Sequence, residues 1–124
     1  MKLRMTLLTL CSIVAGCQSD AAVRSSPPME SFKTSKTPDA AVACLIPSLT
    51  NNYQAISKQR FVAQTIAPGR EYDIVPTDGF INGHYIYTVN VKASGAGSTV
   101  SIYKGQMMLP SITQSIRSGV RGCL

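Results

Sequence analysis

His84 is the only histidine of the chain, so no His pair or His/Cys cluster of zinc-ligand type forms. The acidic residues are six: Asp20, Glu30, Asp39, Glu71, Asp73 and Asp78. Of these, Glu71 and Asp73 stand two apart. Alternate residues of a strand point to one side, so this pair could share a proton or hold a cation. The same spacing also describes the wet face of an edge strand, which is the expectation here. Serines are plentiful enough for a Ser-His-Asp arrangement, yet no G-x-S-x-G elbow accompanies them. Glycines 79, 83, 95, 97 and 105 fall at turns, not in a strand-to-helix phosphate loop. No catalytic residue, cofactor or metal is therefore expected.

Chemistry enters instead through four cysteines, at 11, 17, 44 and 123. Cys11 lies in the opening run MKLRMTLLTLCSIVAGC, which has a positive start at Lys2 and Arg4, then an uncharged stretch from Met5 to Val14 ending in small residues. That is the layout of a secretory leader. The apolar run is about half the ~20 residues a membrane-spanning helix needs. At its end, Val14-Ala15-Gly16-Cys17 resembles the lipobox of bacterial lipoproteins. The resemblance covers only the leader and the anchor. It implies that residues 1–16 are removed, that the Cys17 sulfur takes a diacylglycerol, and that the new amino group is acylated as well. Two or more chains, at about 0.8 kcal/mol per buried CH2, hold a protein on a bilayer where one does not. Gln18 stands where an Asp would favour inner-membrane retention, so the resemblance implies an outer-membrane lipoprotein facing the periplasm.

With Cys11 in the leader and Cys17 given to lipid by that resemblance, Cys44 and Cys123 remain in an exported domain, where disulfides persist. They are expected to pair; two separate buried thiols are the alternative. A bridge matters because a domain of under a hundred residues buries only about 60% of its unfolded surface.

Charge excludes one class of partner. The net +6 of the whole chain falls to +4 once Lys2 and Arg4 leave, ten basic residues against six acidic. Those basic residues are spread singly rather than clustered into a phosphate-binding stripe, so no nucleic-acid partner is expected.

The elements that must position these residues follow from local pattern. Residues 17–36 are rich in Ser, Pro, Thr and Lys without a sustained period and read as a flexible tether; packing of Met29 or Phe32 onto the domain would shorten it. Residues 37–124 form the single domain. Thr37, Pro38 and Asp39 are a helix start, leading into Ala40–Leu49, with a stop or bend expected near Ile46 because of Pro47. Strands are expected at Phe61–Ile66, Glu71–Val75, His84–Lys92 and Ser98–Lys104, the last two forming a hairpin through Ser94-Gly95-Ala96-Gly97. In His84–Lys92, Tyr85, Tyr87, Val89 and Val91 alternate with His84, Thr88, Asn90 and Lys92, and Ile86 breaks the pattern. Tyr85 and Tyr87 are expected in the core; in the reversed register they would be an exposed aromatic ladder suited to a protein or glycan partner. Leu109, Ile112, Ile116, Val120 and Cys123 share one face of a C-terminal helix.

The resulting expectation is an α+β fold, a small two-layer sandwich of helix, three or four antiparallel strands and helix, stapled by a disulfide. The expected function is binding: a small envelope lipoprotein, held to the bilayer through acylated Cys17, serving an envelope protein partner as accessory or regulator of a periplasmic or outer-membrane assembly. A toxin-neutralising immunity or inhibitor lipoprotein is the alternative, and a periplasmic hydrolase using His84 comes third.

Overall fold

The computed structural model describes residues 23–53, 60–77, 80–81, 84–85, 87–104 and 110–124. The elements run β1 (Glu30–Thr34), α1 (Pro38–Asn52), β2 (Phe61–Ala67), β3 (Glu71–Pro76), β4 (Phe80–Ile81), β5 (His84–Tyr85), β6 (Tyr87–Ser94), β7 (Gly97–Lys104) and α2 (Pro110–Arg121). Five of the strands form one antiparallel sheet in the order β1-β7-β6-β3-β2, and β4 pairs with β5 alone. The fold is α+β with a disulfide between Cys44 and Cys123, as the sequence predicts.

α1 begins as its sequence dictates. Thr37 caps it, its hydroxyl accepting from the Ala40 N–H at 3.4 Å, and Pro38 occupies the first turn, where no amide bond is lost. The expected stop near Ile46 does not occur: the helix runs through Pro47 to Asn52. A helix-interior proline costs about 3 kcal/mol. Pro47 and Ala43, the residue whose carbonyl loses its donor, both lie on the exposed side. On the other side Leu45 and Leu49 are fully buried, each contributing about 1.5–3 kcal/mol, so burial outweighs the proline.

α2 buries Ile116, Gly119 and Val120, with Cys123 just beyond its end. Gly119 permits the close approach to α1, since a Cβ there would sit 3.0 Å from Leu49 Cδ2 and 3.1 Å from its Cα. Across the same contact Ser48 Oγ donates to the Gly119 carbonyl at 2.7 Å. The disulfide closes it, with Cα atoms 5.8 Å apart.

The β6–β7 hairpin forms as expected, turning with Ser94 opposite Gly97 and with Gly95 at φ 58°. Of the predicted strand His84–Lys92, His84–Tyr85 form β5, paired with β4, and Tyr87–Lys92 fall in β6, paired with β7; Ile86 lies outside the described residues. The register places Phe32, Val100, Val91 and Tyr72 in one rank, and Ile102, Val89 and Ile74 in the next. These ranks face the helices and carry the core with Leu45, Leu49, Ile116 and Val120.

The tether expectation needs correction at its end. Glu30–Thr34 form an edge strand on β7, and Met29 and Phe32 pack against the core. Ser31 and Lys33 point to one side and Phe32 to the other, so a period of two is present but only five residues long.

Candidate functional site

The sheet face away from the helices carries a polar rank that crosses all five strands. The register aligns Ser31, Ser101, Asn90, Asp73 and Gln64. Ser31 and Ser101 hydrogen-bond through their hydroxyls at 2.9 Å. Asn90 Nδ2 donates to Asp73 Oδ1 at 2.8 Å and to Glu71 Oε1 at 3.0 Å. The second oxygen of Asp73 takes Arg24 Nε at 2.5 Å.

This face is not open to water as the alternation implied. Asp73 and Thr88 are fully buried, and Asn90 and Ser101 nearly so. Part of the cover is the segment ahead of β1. Val23 is buried, Arg24 is clasped to Asp73 on β3, and the Met29 N–H donates to the Ile102 carbonyl at 2.7 Å on β7. Between those two fixed points the chain spans the strands as a strap, with Ser25-Ser26-Pro27-Pro28 exposed. Glu71 and Asp73 are thus not the wet face of an edge strand. β3 is flanked by β2 and β6, and both carboxylates are engaged by Asn90. No group of three or more metal-ligating residues occurs among the described residues. Beside the rank, a cleft between Ala67, Arg70, Glu71, Lys92 and Ala93 encloses about 70 Å³, well short of the roughly 300 Å³ at which small-molecule pockets begin.

The second feature is the edge at β2. Its sequence, Phe-Val-Ala-Gln-Thr-Ile-Ala, has no charge and no proline, and Val62 and Ile66 are each 41% exposed. No described strand pairs with its outer side. The Thr77 N–H donates to the Arg60 carbonyl at 2.8 Å, and antiparallel ladders alternate, so Val62 and Gln64 address β3 while the amides and carbonyls of Phe61, Ala63 and Thr65 point outward. Such edges are normally guarded by charge, as β1 is by Glu30 and Lys33. A bulge between Thr65 and Ala67 is the one guarding device on β2.

Of the residues singled out by sequence, Cys17 lies outside the described residues, and so does the side chain of Tyr85. Cys44 and Cys123 are brought together as expected. Tyr87 is core and not part of a partner surface: it is 2% exposed, its hydroxyl lies 3.2 Å from Thr113 Oγ1, and burial pushes its phenol up to about 12 against a smaller lowering by that hydrogen bond. Sequence reasoning missed Arg24, whose partner Asp73 lies 49 residues away. The uncharged composition of β2 was the available signal for the edge. In comparisons with known proteins, no family model, no curated protein and no solved structure matches the chain.

Proposed function

We propose that the chain is a small envelope lipoprotein, anchored through acylated Cys17 in the outer membrane and facing the periplasm, that acts by binding as an accessory or regulatory component of an envelope assembly. The anchor rests on the Val14-Ala15-Gly16-Cys17 motif behind a leader-like run. The observation that carries the binding part is the β2 edge: three outward amides and carbonyls, no charge, and two exposed apolar side chains. An edge of this kind takes an extended partner segment as an added strand, backbone bonds supplying affinity and side chains such as Val62 and Ile66 supplying selectivity. The partner segment that fits is itself extended and largely uncharged, because a charge opposite this strand would find no counter-charge on it.

A photo-reactive residue at position 62, introduced in cells, tests the binding part. One envelope protein should cross-link there, and the product should disappear when Ala63→Pro removes an outward N–H that β2 does not need for its pairing with β3. A product unaffected by Ala63→Pro, or obtained equally from position 118 on α2, overturns the edge as the binding site; a homodimer overturns the separate partner. Cys17→Ser tests the anchor: the variant should leave the membrane fraction, and full retention there refutes it.

A further inference from the structure

From the strap and its distance to Cys17, and resting on the anchored reading above, we infer that the strand face of the domain, not its helical face, lies against the bilayer, with Lys33 and Lys92 meeting anionic lipid headgroups. The argument is one of reach. Only six Cα steps separate Cys17 from Val23, which is at most about 21 Å of extended chain. Val23 is buried and Arg24 is fixed to Asp73 in the body of the sheet. For the helical face to meet the membrane, the chain would have to pass the β2 edge, about 10 Å including side chains, and then descend past the sheet and a helix layer about 10–12 Å thick. With about 10 Å for a segment packed on the face of a sheet, that path is about 30 Å. The available chain does not cover it.

The face so presented is suited to a lipid surface. Its carboxylates are already engaged, Asp73 by Arg24 and Asn90 and Glu71 by Asn90. The end of the sheet that the buried rank leaves uncovered carries the rank Lys33, Thr99, Lys92 and Glu71, both lysines exposed and Glu71 half-buried, with Arg70 exposed at the adjoining turn. Basic residues near an anionic membrane surface are drawn to it within about a Debye length. Were the Arg24 clasp to open, Met29 would become the first fixed point. Twelve Cα steps, about 43 Å, would then allow any orientation.

The test uses the mature acylated protein in vesicles of phosphatidylethanolamine and phosphatidylglycerol bearing a nitroxide on the headgroup. A fluorophore is placed on Thr99→Cys, at the strand face, or on Ser118→Cys, on exposed α2. Quenching is expected to be several-fold stronger at 99. A Gly-Ser insertion of about twelve residues after Asp20, ahead of the Arg24 clasp, should bring the two positions close to equality. Equal quenching at native length, or stronger quenching at 118, overturns the orientation. Intact mass is read first. An unacylated Cys17 refutes the anchored reading and this inference with it, whereas an acylated protein with equal quenching refutes this inference alone.

Discussion

Reducing the Cys44–Cys123 bridge leaves every packed contact in place and acts mainly on the unfolded chain. The bridge spans a sequence separation of 79 residues. On the chain-entropy relation a loop of that size stabilises by about 4.5 kcal/mol. The total stability of a small domain is about 5–15 kcal/mol, so the reduced protein should be marginal but still folded, because Leu45, Leu49, Ile116 and Val120 stay buried between α1, α2 and the sheet. At about 4–8 °C per kcal/mol for a domain of this size, the melting temperature should fall by about 20–35 °C. Thermal unfolding followed by circular dichroism, with and without reductant, reads this directly. Urea unfolding should also show a larger slope for the reduced form, since its unfolded state exposes more surface. A drop of under about 10 °C on complete reduction would refute the reasoning, and would mean that the unfolded chain is already compact around these helices.

Three further outcomes are expected. Thr88 is fully buried and its Oγ1 is the one buried side-chain polar atom found without a hydrogen-bond partner among the described residues, so Thr88→Val should raise stability by about 1–2 kcal/mol in urea unfolding. A Cβ at position 97 would come 2.0 Å from the Thr34 carbonyl oxygen; Gly97→Ala should therefore lower stability by more than about 2 kcal/mol and loosen β1, seen as faster amide exchange from Glu30 to Thr34. The Tyr87 phenol titrates near 12 in the fold against 10.0 in an exposed chain. A raised acid pKa means that the unfolded state loses its proton first, so this contribution is intact below pH 10 and lost as pH rises toward 12, reaching about 3 kcal/mol. Tyr87→Phe should flatten that alkaline loss, measured as stability against pH.

Where the chain's own local pattern set the structure, the sequence could be read. Thr37-Pro38-Asp39 is a helix start on any scaffold, and the β6–β7 hairpin follows from alternation around a glycine turn. The helix does not stop at Pro47 because the opposing quantity, burial of Leu45 and Leu49 against α2 and the sheet, is tertiary and not visible in local sequence. The local sequence of β1 resembles linker for a related reason. Five residues of weak alternation behind two prolines become a strand only because β7 offers them an edge. The polar rank was legible residue by residue but not as buried, since nothing local to Asn90 or Asp73 announces that Arg24 will cover them. Cys44 and Cys123 are the two cysteines that the leader-like run and the lipobox resemblance leave over, and the fold joins them.

The pairing of β1 with β7 joins Glu30 to Ile102, nearly opposite ends of the folded part. Any machinery that moves this chain lengthwise, whether it is synthesising or translocating it, therefore handles a polypeptide that cannot complete its sheet in transit. β1 must wait for β7, and Cys44 must wait for Cys123, 79 residues later. Contacts of such long sequence separation form slowly. The topology thus delays closure of the sheet until β7 has emerged and of the bridge until Cys123 has, and leaves an interval in which the polypeptide is still pliable enough to be threaded.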